Sequence, residues 1–257
     1  MEKRTFVDQM GRSVEVPFPP KRIISLVPSQ TELLYDLGLE EEVVGITKFC
    51  IYPDEWFRNK QRIGGTKQLK LDEILALKPD LVIGNKEENT KADIDFLIQQ
   101  NVPVWMSDIS TYEEALEMIE QIGKIANKEA EANDLLNKIE TKFNKLGTIG
   151  EGKSALYFIW DEPSFVVGKS TFIDSLLTKI GFENTCKLNR YPDLTELENP
   201  NPDFIFLSSE PFPFKEEHLE KYQKRFPNAK VMLVDGELFS WYGSRMELAP
   251  SYFESLI

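Results

Sequence analysis

Apolar positions along this chain fall into short continuous runs separated by stretches with helical spacing. KRIISLV (21–27), VVGI (43–46), LVIG (81–84), VPVWM (102–106), SALYFIW (154–160) and KVMLVDG (230–236) read as strands buried on both faces. A weaker strand is expected near Arg62–Ile63, before the turn at Gly64-Gly65. Between these runs, TELLYDL after Ser29, Lys91–Gln100, STFIDSLLTKIG and Lys215–Phe226 space their apolar residues three and four apart. Ser29 with Glu32, and Thr171 with Asp174, are expected to form capping boxes, with Gly38 and Gly181 as C-terminal stops. Strands alternating with helices predict an α/β fold with parallel sheets.

One pattern occurs twice. LDEILALKPDLVIGN (71–85) and LTELENPNPDFIFLS (194–208) each set a short amphipathic segment before a Pro-Asp pair and an apolar strand. Glu73 matches Glu196, Pro79 matches Pro202, and Asp80 matches Asp203. A duplicated helix–Pro-Asp–strand unit predicts two similar, Rossmann-like α/β lobes with a ligand cleft between them.

From Thr111 to about Leu146 the chain has almost no breaker, and the spacing predicts a helix of about 35 residues, roughly 50 Å long. Such a helix is too long for one lobe, so it is read as a bridge, with Gly123 and Asn127 as points where it bends or splits. The alternative is two consecutive helices within one domain. The organisation expected is an N-terminal lobe over 1–110, a bridging helix over 111–147 and a C-terminal lobe over 148–257.

The chain has 257 residues, 41% hydrophobic and 28% charged, with a net charge of -13. That acidic balance argues against nucleic acid as partner, because phosphate affinity needs clustered Lys and Arg. No apolar run approaches the ~20 residues needed to span a bilayer. Two cysteines, Cys50 and Cys186, lack metal-type spacing, and the single histidine, His218, lies in a charged helical pattern and reads as solvated. A histidine-rich metal site is excluded, and neither a catalytic residue nor a resident cofactor is expected. GKST at 168–171 resembles the end of a P-loop. Its first glycine would fall at Pro163, so nucleotide binding is not expected.

The order of motifs resembles the substrate-binding proteins of ABC importers in the helical-backbone class, whose ligands include cobalamin, haem and ferric siderophores. The resemblance runs through DQMGRSVEVPFPPKRIISLVPSQTELLYDLG, the paired LKPDLVI and NPDFIFL, and FIWDEPSFVVGKSTFIDSLLTKIGFENTC. The last of these is similar to the opening of the second lobe in cobalamin-binding members. It implies two α/β lobes joined by one long helix, capture of a metal chelate without turnover, and delivery to a permease and ATPase complex. A monomer is expected. MEKRTFVDQMGRSVEV has neither an apolar h-region nor a small-residue cleavage site, so it does not read as a signal peptide. The expected location is periplasmic or cell-surface if a leader was trimmed, and cytoplasmic if Met1 is the native start.

In open α/β sheets ligands bind beyond the carboxyl ends of strands, and the loops there concentrate aromatic residues. A flat macrocycle would stack on such rings. Tyr52, Trp160, Trp241 and Tyr242 are the expected contacts, and the Tyr52-Pro53 pair resembles cobalamin-binding members. Arg245 either stacks on a ring, binds a ligand carboxylate or phosphate, or is a surface charge. Cys50 either ligates a cobalt or an iron or is an inert buried thiol. By resemblance, Glu73 and Glu196, with Asp72 flanking the first, dock onto permease arginines. The bland reading is that they balance a helix dipole. The competing functions are a cytoplasmic corrinoid carrier or sensor, and an enzyme on the same architecture. The enzyme reading is opposed by one histidine, no G-x-S-x-G motif and no paired Cys.

Overall fold

The apolar runs become the strands of two parallel sheets. The structure is a computed structural model and describes residues 2–256. Contacts divide the chain into two compact units. The first comprises residues 1–108, 114–138 and 242–245, and the second 109–113, 139–241 and 246–257.

The first unit opens with a hairpin of β1 (Lys3–Val7) and β2 (Ser13–Pro17). Then come β3 (Ile23–Ser25), α1 (Pro28–Asp36), β4 (Val43–Ile46), α2 (Asp54–Asn59) and β5 (Gln61–Arg62). A small hairpin, β6 (Gly64–Gly65) with β7 (Gln68–Leu69), leads to α3 (Leu71–Ala76), β8 (Leu81–Asn85), α4 (Lys91–Gln99) and β9 (Val104–Ser107). The main sheet is parallel, in the order β5-β4-β3-β8-β9. Every residue of β3 and β8 is buried, as expected for strands covered on both faces. Ile24, Val82 and Val104 from the sheet pack with Ile74 of α3 and Ile94 and Leu97 of α4.

In the second unit β10 (Ser154–Phe158), α7 (Phe172–Lys179), β11 (Glu183–Asn184), β12 (Phe204–Ser208), α8 (Glu216–Arg225) and β13 (Lys230–Val234) repeat the alternation. Their sheet is also parallel, ordered β11-β10-β12-β13. Leu156 and Phe158 of β10 and Ile205 and Leu207 of β12 pack with Tyr222 and Phe226 around α8. After β13 come α9 (Gly236–Ser240) and α10 (Ala249–Glu254).

The Pro-Asp repeat has a physical reason. Asp80 accepts the backbone N–H groups of Lys21 and Arg22, both at 2.8 Å, and so pins the entry of β3 beside β8. Asp203 accepts the N–H and the hydroxyl of Ser154, both at 2.8 Å, and pins the entry of β10 beside β12. The Ser154 N–H holds the Asp203 carboxyl below its ordinary value. The repeat is less complete ahead of the Pro-Asp pair. α3 is a two-turn helix, whereas Leu194–Glu196 forms one 3-10 turn, cut short before the proline-rich NPNP.

The segment expected as one bridging helix is two: α5 (Tyr112–Ala126) and α6 (Glu129–Leu146). Asn127 takes a left-handed conformation (φ 58°), which ends α5 as an αL residue does. Lys128 N–H then returns to the Gly123 carbonyl at 2.7 Å. A Cβ on Gly123 would fall 2.4 Å from Ala132 Cβ, so only glycine lets the first turn of α6 fold back onto the last turn of α5.

Two caps also differ from expectation. α1 begins after Val27 with Pro28 in its first turn, and no side-chain cap forms at Ser29. Glu32 is engaged elsewhere. Thr171 does cap α7 by accepting the Asp174 N–H, but Asp174 binds Lys169 and Asn184 instead of closing the box.

Candidate functional site

In the first unit the loop between β4 and α2 carries Phe49, Ile51 and Tyr52, all exposed large apolar residues beyond a strand carboxyl end. The Tyr52 ring, 40% exposed, lies against the Arg245 guanidinium, whose carbon is 4.7 Å from the ring centroid. Arg245 is itself fixed by a two-pronged ion pair with Glu32: Nε to Oε2 at 2.8 Å and Nη2 to Oε1 at 2.7 Å. Their side chains are only 13% and 18% exposed, so the fork and the carboxylate meet largely away from water. Glu32 neutralises Arg245, and Arg245 braces Tyr52.

Cys50 belongs to the same loop but turns its side chain into the interior. It is fully buried, with Sγ 3.0 Å from Thr31 Oγ1 and 3.1 Å from Thr47 Oγ1. Burial raises its thiol above the ordinary value, against the lowering contacts of the two threonines. That is the environment of an inert structural thiol, not of a metal-ligating thiolate. Tyr242 is likewise buried. Trp56 and Trp105 are core residues.

In the second unit Trp160 opens the loop after β10 and is 39% exposed. Its ring meets Phe212 edge-on at 5.6 Å, and Phe212 meets Phe214 at 4.8 Å. The loop is tied down by Asp161, which accepts the Tyr222 hydroxyl at 2.8 Å and the Lys221 ammonium at 2.8 Å. Hydrogen bonds to Asp161 and Glu162 push the Lys221 ammonium up to about 12, and burial pushes the Tyr222 phenol up to about 12. His218 is half-buried, not solvated: its ring packs edge-on to Phe212 and Phe214, and Nδ1 accepts the Lys215 N–H at 3.0 Å.

Trp241 follows α9 and is half-buried. Its indole N–H donates to Glu210 Oε1 at 2.9 Å, and the Ser240 hydroxyl donates to the same oxygen at 2.6 Å. Glu210 lies two residues beyond β12, so Trp160, Glu210 and Trp241 all stand past the carboxyl ends of the three adjacent strands β10, β12 and β13. Lys169 is paired with Asp174 at 2.9 Å and presents no P-loop chemistry.

Of the acids expected at the docking surface, Asp72 is exposed. Glu73 accepts Lys70 at 2.7 Å and Gln61 at 3.2 Å, and the Lys70 bond holds its carboxyl below the ordinary value. Glu196 is exposed and uses Oε1 to accept the Asp193 N–H at 2.9 Å, closing the box on the 3-10 turn. Glu73 and Glu196 therefore each carry a local structural bond as well as exposed charge.

Sequence reasoning missed Glu32 as a brace and Glu210 as the partner of Trp241. Only the place of Glu210, an acid just past a strand end, hinted at a role. Among the described residues no group of three or more His, Cys, Asp and Glu is placed to hold a metal ion. No helix among them is long and apolar enough to cross a membrane.

Two parallel-sheet α/β units, each with exposed rings past its strand ends, are the architecture of the two-lobe binding-protein fold. The sequence matches the family described as "Periplasmic binding protein" over residues 23–230, and the chain belongs to that family. An uncharacterized ABC transporter substrate-binding lipoprotein of Bacillus subtilis is 29% identical over 191 residues, 70% of this chain and 60% of that relative, so the match spans less than two thirds of its length. A vitamin B12-binding protein of Pectobacterium carotovorum is 24% identical over 239 residues, 90% of this chain and 86% of the relative. The solved periplasmic vitamin B12 binding protein of Vibrio cholerae superposes with a TM-score of 0.78 at 21% identity, covering 91% of this chain and 95% of its own. A siderophore binding protein bound to acinetobactin and ferric iron gives 0.80 at 16% identity, covering 98% of each chain. At these identities the structural likeness shows the fold.

Proposed function

We propose that this chain is the solute-binding component of an ABC importer that captures cobalamin or another corrinoid and hands it to a permease and ATPase complex. The observation that carries the reading is the set of three exposed or half-buried rings beyond strand carboxyl ends: Tyr52 in the first unit, Trp160 and Trp241 in the second. Each is braced by protein groups, which lowers the entropy lost when a flat ligand stacks on it.

The charges favour a corrinoid over the other chelates named for relatives. Arg245, the cation expected to meet a ligand anion, is engaged by an internal carboxylate, and so is Lys169. A haem with two propionates or an anionic ferric siderophore would need such cations, whereas a corrin fringed by neutral amides would not. One observation favours the haem reading: Lys48 lies over the exposed Phe49 ring at 5.0 Å, beside Ile51 and Tyr52.

The names of the relatives support a working place outside the cytoplasmic membrane and support binding rather than turnover. Asp72, Glu73 and Glu196 are the acids we assign to the permease contact. Equilibrium dialysis against cyanocobalamin, cobinamide, haemin and a ferric hydroxamate tests the ligand. Corrinoid retention alone is expected. Retention of haemin alone would replace the corrinoid by haem.

A further inference from the structure

We infer that Glu210 is a positioning and specificity residue: it fixes the Trp241 indole and makes the site select ligands with amide N–H donors over ligands with carboxylates. This rests on the corrinoid reading above. Glu210 is half-buried just past β12, and its Oε1 receives both the indole N–H and the Ser240 hydroxyl. Its backbone is fixed as well. The buried Tyr157 hydroxyl donates to Ser208 Oγ at 3.0 Å, and that hydroxyl donates to the Glu210 carbonyl at 2.6 Å.

The fit around Glu210 is tight. A Cβ on Gly236 would come within 2.6 Å of Glu210 Cγ and 2.9 Å of Glu210 N, so glycine is required for α9 to start against this side chain. The carboxylate is therefore built in, not a passing surface acid.

Its charge is not compensated from within. Among the described residues no lysine, arginine or histidine is paired with Glu210, in contrast to Asp161 and Glu32. An ionised carboxylate can accept about four hydrogen bonds, and the two seen here fall on one oxygen. The remaining acceptor capacity and the negative charge lie beside the Trp241 ring. A ligand edge carrying primary amides supplies the missing donors. A ligand carboxylate brought to the same place meets a like charge without a counter-ion.

The test uses the full chain and the variants E210Q and E210A, titrated with dicyanocobinamide and with dicyanocobyrinic acid, the same corrin bearing carboxylates in place of amides. Glutamine keeps an acceptor for the indole and removes the charge. Wild type is expected to prefer the amide corrin. E210Q should weaken the amide corrin, because its Nε2 donates where the second carboxylate oxygen accepted, and tighten the carboxylate corrin about tenfold. E210A, which loses the brace, should weaken both and shift the Trp241 fluorescence. An amide-to-carboxylate affinity ratio unchanged in E210Q would overturn the specificity role, and unchanged fluorescence and affinity in E210A would overturn the positioning role. If wild type binds neither corrin, the corrinoid reading itself fails and this inference falls with it.

Discussion

The two units do the same job at their rims by different means. In the first, a ring is steadied through an intermediary: Glu32 holds Arg245, and the guanidinium lies against Tyr52. In the second, a carboxylate grips the ring directly, Glu210 on the Trp241 indole, and another carboxylate, Asp161, ties down the loop of Trp160. The difference follows from the ring chemistry. A tyrosine face attracts a cation, so its brace is an arginine, which then needs its own acid. An indole has an N–H on its edge, so its brace is the acid itself. At the opposite ends of the sheets the units agree, each using the aspartate of a Pro-Asp pair to pin the entry of a neighbouring strand.

The largest expected effect tests the indirect brace. Arg245→Ala strips Glu32 of its partner in a largely water-excluded place and should cost about 3 kcal/mol of unfolding free energy. Urea denaturation would measure it, and the double variant with Glu32→Gln should recover part of the loss. A cost below about 0.5 kcal/mol would show that the pair behaves as a surface ion pair.

The tie on the Trp160 loop is worth less. Tyr222→Phe removes one charge-assisted hydrogen bond to Asp161 and should cost about 1.5 kcal/mol. Trp160 emission should shift as its loop loosens, and an unshifted spectrum would remove Asp161 as the anchor.

The smallest effect tests where the units agree. Asp203 has its carboxyl held below the ordinary value in the folded chain. Its contribution to stability is therefore fully present above the unfolded carboxylate range and lost as pH falls through the lower folded value. Asp203→Asn should flatten that part of the stability–pH profile. An identical profile in wild type and variant would show that the Ser154 clamp does not favour the ionised form.

How much of this was legible follows from range. Strands such as LVIGN and FIFLS could be read because double-sided burial demands apolar runs, and the Pro-Asp pairs because their geometry is local. The break between α5 and α6 was legible as a place, since Gly123 and Asn127 mark where the helix bends or splits, but not as a full stop, because the left-handed turn at Asn127 depends on Gly123 meeting Ala132. For Cys50 the sequence left ligand and buried thiol both open, since it sits between exposed Phe49 and exposed Ile51 in an irregular loop with no period. Glu32 and Arg245 are 213 positions apart, and no local pattern joins them. Instead, the spacing of Ser29 and Glu32 pointed to a capping box that does not form.

The most direct test of the account is a tryptophan-fluorescence titration of the purified chain with cyanocobalamin, corrected for inner-filter absorption, with Trp241→Ala beside it. The account expects saturable quenching in wild type and at least about tenfold weaker binding in the variant, as for loss of a central aromatic anchor. No saturation in wild type, or equal affinity in the variant, would contradict it.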